Sequence, residues 1–536
     1  MSAREAPTSP PAPTSMIDTI QSLIVSFVFA MIFRGFIVEG YVIPTGSMAP
    51  TLMGSHVRLR SAATGYEFAA DNQEVVMTAM AGMRGDRPIF DPMISHQQPI
   101  AAMPNDVLAR DGRLGDRVMV VKYLKPFTAP QRWDVAVFKN PTDPVGDSVY
   151  YIKRVVGLPN ESFAVVDGDI YTGPIDADPE QLRIERKPEH VQRAVWQPVH
   201  DSDFEPVDVP RLESAMKRPW QGVPWTASTG WNIRAERAWE WKSSAPASLT
   251  WSNQIIAIDD WNAYNCYRRE MPLFPMSDVC IASAIETTDG DSFQSRLVIR
   301  TRGLEIAFAL ARGEAVLSVT ESESRREVAR QAVPCRLASD RTHWVEMWHV
   351  DEQLTFWLDG AAVAVLPYTI GGPRARTEAS HFGRTAEQVI ANPIAQRPPP
   401  TQLEWTFQGS SFVLRRVQVK RDLYYRPDFL SAANQFPTNG EPLVGLSYGA
   451  NPLKPAQTGS ETYVMFGDNS AASKDSRVWG LPHPLVTEEL GVSSPFVVPR
   501  EMVIGKAWSV YFPAPIALSP GGRAFIPDFG RVRFIR

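Results

Sequence analysis

The chain has 536 residues, 44% hydrophobic and 21% charged, with 46 prolines; it is too long for one hydrophobic core and too apolar for a disordered chain, so two or three loop-rich domains are expected. A net charge of -5, from 54 Lys+Arg against 59 Asp+Glu, with no long basic run, excludes the electrostatic footprint of a nucleic-acid binder. Three cysteines, Cys266, Cys280 and Cys335, with no CxxC pair, exclude a disulfide scaffold and a Cys-rich zinc site, and leave open one bridge from Cys280 or buried free thiols.

Residues 1–15 form a polar, Pro-rich tail. Residues 16–38 are dominated by Ile, Val, Phe, Leu and Met. A helix there would rise roughly 35 Å at about 1.5 Å per residue, enough to cross a hydrocarbon core of about 30 Å, with Arg34 reaching the far interface. A cleaved signal peptide is the competing reading, but no basic n-region precedes the segment and no small-x-small site follows it, so a retained anchor is expected. The flanking charges, Arg4, Glu5 and Asp18 before and Arg34 and Glu39 after, do not decide its orientation.

Beyond the anchor, short β-branched runs bounded by Pro, Gly, Asp or Asn predict strands at 41–43, 117–123, 134–138, 150–156, 461–466 and 502–512. The stretch 54–114, rich in Met, Gly and Pro, carries no assignable element. From 175 to 442 the sequence is Trp-rich, with strand-like runs at 296–302, 304–310, 315–319, 344–350, 353–358, 362–366 and 412–420. Turn signals separate many of them, and Asp359-Gly360 between two runs marks a hairpin; the rhythm predicts an inserted antiparallel β-sandwich. The expected order is a tail over 1–15, an anchor over 16–38, a β domain in two parts over 39–174 and 443–536, and the insert over 175–442 between them. An insert of this kind is expected to fold as its own unit, replaceable by a short linker.

Eight scattered histidines offer no metal-ligand spacing. What stands out is Pro44-Thr45-Gly46-Ser47-Met48-Ala49-Pro50-Thr51-Leu52, where Gly46 permits close backbone approach and the prolines stiffen both sides. Alone it also reads as an ordinary loop. A second element, Tyr150-Tyr151-Ile152-Lys153-Arg154-Val155-Val156-Gly157, sets a lysine in a mostly apolar strand. Solvated strand lysines are common, but one buried among Ile and Val loses affinity for its proton and can act as a base toward a hydroxyl.

These two elements, with Gly467-Asp468-Asn469-Ser470-Ala471-Ala472-Ser473-Lys474-Asp475-Ser476-Arg477 downstream, resemble in order and context the signature boxes of bacterial type I signal peptidases. The segments 115–120, 134–138 and 503–507 resemble that family's intervening strands. The resemblance covers roughly 16–168 and 462–513 and implies a mainly β catalytic domain behind a transmembrane helix. It implies that Ser47 attacks the scissile carbonyl and that neutral Lys153 takes its proton, with Thr45 and the Ser47 N–H as oxyanion donors. Ser473 would orient the lysine amine, Asp475 with Arg477 and Arg154 with Asp468 would form bracing ion pairs, and Ile43, Met48, Leu52, Tyr151 and Ile152 would line shallow pockets for small side chains. The implied partners are signal peptides of exported preproteins, the lipid bilayer and the export machinery; no cofactor or metal is implied. The implied place is the bacterial cytoplasmic membrane, with everything after Val38 outside the cytoplasm. Two rivals are a vestigial peptidase domain carrying a binding module and a self-cleaving Ser/Lys repressor. The sandwich resembles concanavalin- or laminin-G-like modules only through 344–366, which leaves structural, protein-binding and glycan-binding roles open.

Overall fold

The computed structural model describes residues 16–61, 63–71, 90–94, 111–123, 128–146, 150–233, 237–265, 273–339, 341–391, 396–426, 448–517 and 525–535. The chain is mainly β, and its paired strands run antiparallel. One helix, Met16–Phe36, is among the described residues long and apolar enough to cross a membrane; its side chains lie outside any core. Two residues later the chain enters the strand Val38–Val42. Lys122 Nζ donates to Gly35 O at 2.9 Å, tying the helix end to the sheet.

That sheet runs, neighbour to neighbour, through Val38–Val42, Arg117–Lys122, Val503–Phe512, Val135–Lys139, Tyr150–Gly157, Thr462–Phe466 and Val498–Pro499, with Arg533–Phe534 added on Val503–Phe512. Strands far apart in sequence are therefore neighbours. In Tyr150–Gly157 the last six residues are all buried, because both faces of this central strand are covered. One face packs Ile43, Val118, Val120, Val135 and Ile152; the other packs Phe138, Val155, Met465 and Trp479. Part of the stretch that the sequence leaves unassigned is ordered: His56–Arg60, Glu67–Asp71 and Asp111–Arg113 join Ile516–Ala517 and Phe525–Ile526 in a five-stranded sheet. The rest of 54–114 lies largely outside the described residues.

The insert holds an eight-stranded and a seven-stranded sheet. Period-2 alternation builds the space between them: Leu403, Trp405 and Phe407 of Gln402–Gln408 and Ala315, Leu317 and Val319 of Glu314–Glu321 point into one core with Trp225, Trp239 and Trp251. The Asp359-Gly360 hairpin has positive φ at both positions, 51° and 84°, the geometry that a two-residue primed turn requires. Glu327–Pro334, a strand with no residue fully buried, was not visible in the sequence because an exposed edge leaves no apolar alternation. Cys280 and Cys335 are buried free thiols, and Cys266 lies outside the described residues.

The insert is not set apart from the rest. A four-stranded sheet of Arg183–Ile184, Asp169–Pro174, Glu161–Val166 and Ala456–Gln457 stands beside it. Across this boundary Arg302 of the sandwich pairs with Asp167 at 2.7 Å, both side chains 1% exposed.

Candidate active site

Sequence-local geometry sets up Ser47. The strand Val38–Val42 ends where Ile43 N donates to Asp116 O at 2.9 Å; the chain stays extended at Thr45 (φ -120°, ψ 159°) and then closes into a single 3-10 turn, Gly46–Met48. Ala49 N donates to Gly46 O at 3.0 Å, and Met48 and Leu52, each 0% exposed, pin the turn into the sheet core. Only the serine side of the turn faces outward, with Ser47 at 9% exposure. The Ser47 N–H lies in the first turn of the 3-10 helix and so has no acceptor within it.

Lys153 comes from the strand Tyr150–Gly157, where it stands opposite Ala136 of Val135–Lys139. It is 2% exposed. Its Nζ lies 2.6 Å from Ser47 Oγ and 3.0 Å from Ile152 O, with the Tyr151 ring 5.3 Å away. Burial pushes its ammonium down to about 8; Arg477 adds to that, while Asp475 and Asp468 oppose it. With a pKa of about 8, about a tenth of such amines are neutral at pH 7, and a neutral amine at this distance can accept a hydroxyl proton.

The loop after Thr462–Phe466 closes the site. Arg154 donates to both Asp468 oxygens at 2.8 and 2.6 Å with both side chains 0% exposed, and Thr51 Oγ1 donates to Asp468 Oδ2 at 2.5 Å, which joins lysine strand, serine loop and 467–477 loop. Arg477 pairs with Asp475 at 2.6 and 2.9 Å, and Gly467 N donates to the same carboxylate at 2.9 Å. Burial raises the Asp475 carboxyl, but Arg477 and the hydrogen bonds more than offset it and hold it below the ordinary carboxylate range. A Cβ on Gly467 would lie 2.4 Å from Ser47 O, so only glycine lets the loop approach the serine this closely.

Two groups of residues sit elsewhere than the sequence places them. The amine of Lys153 meets the Ile152 carbonyl, and the Ser473 Oγ lies buried beside Gly467, on the side of the Asp475 carboxylate that it helps to hold low. Ile43, Met48 and Leu52 do not line the cleft: at 2%, 0% and 0% exposure they belong to the sheet core with Ile152, since the 3-10 turn directs its apolar side chains inward. Tyr151 is half-buried against Phe138 and Trp479. Exposed Thr45 does line the cleft, a cavity of about 230 Å³ shared with Ser47, Asp71, Tyr264, Asn265 and Asn469.

Four of those residues, Asp71, Tyr264, Asn265 and Asn469, were missed. Asn469 stands in the quoted motif without a role; its backbone N donates to Ser47 O at 3.1 Å and its Nδ2 to Gly46 O at 2.9 Å. Tyr264 and Asn265 belong to the insert, and no local signal in the sequence marks them.

A separate buried cluster brings Asp169, Asp278, Asp351 and Asp422 within reach of one another, as a cation site would. The ammonium of Lys187 stands among them, 2.5 Å from Asp351 and 2.9 Å from Asp422, and Arg376 lies 3.3 Å from Asp169. The protein's own cations meet that charge.

With this geometry in view, residues 16–211 match the model of a family described as signal peptidase, peptidase S26. Over these residues the chain is similar to a signal peptidase S26 domain. The match includes the apolar helix, Ser47 and Lys153, and runs past the Asp169–Pro174 strand into the insert; the 467–477 loop lies beyond it. No curated protein matches the chain in sequence. Solved structures similar to it include carbohydrate-binding module CBM66 from Bacillus subtilis (10% identity, TM-score 0.23, covering 37% of this chain and 95% of that one). Others are the Caenorhabditis elegans galectin LEC-6 (11%, 0.17, 28% and 86%) and the catalytic domain of a Thermotoga petrophila laminarinase (9%, 0.19, 33% and 69%). Likenesses at such scores say nothing about what the sandwich does.

Proposed function

We propose that the chain is a membrane-anchored serine endopeptidase that removes signal peptides from exported proteins, with Ser47 as nucleophile and Lys153 as its base. The observation that carries the reading is the 2.6 Å contact of a buried lysine amine, its proton affinity lowered by burial, with the serine hydroxyl. Lys153 takes the proton of Ser47 as Oγ adds to the scissile carbonyl and returns it to the leaving amine; water then enters by the same base to release the acyl group. The oxyanion is met by the Ser47 N–H and the Thr45 hydroxyl. Asp475, Arg477, Arg154 and Asp468 hold the loops and meet no substrate.

The anchor is the helix Met16–Phe36, and the cleft opens on the extracytoplasmic side. Exposed Val42, on the strand that follows the helix, and exposed Trp508, Tyr511 and Phe534, farther along the same sheet, support a catalytic domain resting against the bilayer. Cleavage follows small-x-small sites, Ala-x-Ala being the expected one, by the resemblance of the three motifs to type I signal peptidases. Purified full-length chain in detergent micelles, given a preprotein with an Ala-x-Ala site, should release a mature chain beginning just after the second alanine. Ser47→Ala should leave the preprotein intact. Equal cleavage by Ser47→Ala and the parent chain would end this reading.

A further inference from the structure

The inserted sandwich reaches into the cleft through one short 3-10 turn, Ala263–Asn265. The turn is fixed from both sides. On the sandwich side Arg421, the last residue of the strand Phe412–Arg421, donates to Trp261 O at 2.7 Å and Asp260 O at 3.3 Å. Within the turn Asn265 N donates to Asn262 O at 2.9 Å and Tyr264 N to Asn262 Oδ1 at 2.9 Å. On the catalytic side Tyr264 Oη donates to Ser55 O at 3.2 Å, and its ring lies so close to Gly46 that a Cβ there would stand 2.0 Å from Cε1.

Asn265 is 6% exposed and faces Asn469, itself 1% exposed, in a reciprocal pair. Asn265 Nδ2 donates to Asn469 Oδ1 at 2.6 Å, and Asn469 Nδ2 donates back to Asn265 Oδ1 at 2.9 Å. The second hydrogen of Asn469 Nδ2 goes to Gly46 O at 2.9 Å. A carbonyl can only accept, so Asn469 must turn its NH₂ toward Gly46, and its oxygen then needs a donor on the other side. Asn265 supplies that donor and an acceptor for the remaining N–H. The peptide between Gly46 and Ser47 is planar and trans, so an amide that holds the Gly46 carbonyl also fixes the direction of the Ser47 N–H on its opposite edge.

We propose that the sandwich completes the active site, with Asn265 as a positioning residue that acts through Asn469 and the Gly46 carbonyl to aim the Ser47 N–H at the oxyanion. The inference rests on Ser47 being the nucleophile. It makes the insert part of the peptidase and not an appended module. Without Asn265 the Asn469 amide loses the partner that sets its orientation, and the oxyanion donor loses its aim while Lys153 and Ser47 Oγ stay in place.

The test uses full-length chain in detergent micelles and an Ala-x-Ala peptide, with Ser47→Ala, Asn265→Ala, Asn469→Ala and the double Asn265→Ala/Asn469→Ala variant. Asn265→Ala should lower kcat about 10- to 100-fold, less than the roughly 10²–10³ of removing an oxyanion donor outright. Its KM should stay within about threefold, because Asn265 is 6% exposed and offers a substrate little surface, and its pH profile should keep its inflection, because the base has not changed. The double variant should be no slower than Asn469→Ala alone, since both substitutions break one chain of contacts. Should Asn265→Ala not fold, the near-isosteric Asn265→Leu keeps the volume while removing both hydrogen bonds, and the same losses are expected of it. A folded Asn265 variant with parental kcat, or a double variant whose loss is the product of the two single losses, overturns the proposal while leaving the Ser/Lys peptidase intact. A parent chain that cleaves no better than Ser47→Ala overturns both.

Discussion

Lys153 carries two consequences that separate its chemistry from its packing. Its folded pKa of about 8 stands below the ordinary 10.5, so the unfolded chain binds the extra proton between those values and folding stability rises with pH across that window. Below pH 8 burial of this amine costs about 3 kcal/mol, at about 1.36 kcal/mol per unit. Lys153→Met keeps the length and drops the charge; it should be inactive yet more stable than the parent at pH 7 by about 1–3 kcal/mol, allowing for the amine's two lost hydrogen bonds. Denaturant unfolding should show that gain fading between pH 8 and 10.5; a gain that persists at pH 11 would mean that the amine is not desolvated. At the oxyanion, Thr45→Ala should lose about 10²–10³ in kcat and Thr45→Ser should retain activity; equal rates for both in a peptide assay would remove the hydroxyl from that role. Ser47 and Lys153 could be singled out in the sequence because their motifs are local and chemically unusual, and their side chains meet in the structure. Met48 and Leu52 were misplaced because an apolar side chain beside a nucleophile reads equally as pocket wall or core, and only the inward turn at Gly46–Met48 decides it.

The central strand Tyr150–Gly157 and the 467–477 loop depend on each other through the buried Arg154–Asp468 pair. Arg154→Met strands an unpaired carboxylate at 0% exposure and should cost about 3–5 kcal/mol of stability, whereas the double Arg154→Met/Asp468→Asn variant should recover part of it. Thermal melts of the three chains decide this, and a double variant no more stable than Arg154→Met would mean that the pair is not what joins the elements. The serine turn has its own dependence on a neighbour: Gly46→Ala places a methyl into the Tyr264 ring and should abolish cleavage, with Tyr264→Ala in the same chain restoring a measurable rate. Strands with a buried alternating face, and the Asp359-Gly360 hairpin with its two positive φ angles, were readable from local pattern. The exposed edge Glu327–Pro334 and the strands His56–Arg60 and Glu67–Asp71 were not, since edge pairing and cross-chain contacts leave little mark on a short stretch of sequence.

At the scale of the whole molecule, the S26-like segment and the sandwich share the wall of one cavity beside Ser47. The sequence permits an insert that folds alone, because entry and exit lie near each other and the Trp-rich rhythm is self-sufficient. The structure differs in one respect that only three-dimensional contact reveals: Tyr264 and Asn265, more than 200 residues from Ser47 in sequence, press on its loop. Replacing 175–442 with a flexible linker should therefore reduce cleavage at least as much as Asn265→Ala does, and should also lower the melting temperature, because Asp167 and Asp169 lose Arg302 and Arg376. Full activity in a folded, trimmed chain would return the insert to the status of a separate module.

A buried lysine that serves as base to Ser47 must show itself in the pH dependence of kcat/KM of the full-length chain on an Ala-x-Ala peptide. The rate should rise with pH through an apparent pKa near 8, with no turnover from Lys153→Ala or from Lys153→Arg, whose guanidinium stays protonated. A folded Lys153→Ala chain that cleaves at the parental rate would contradict it.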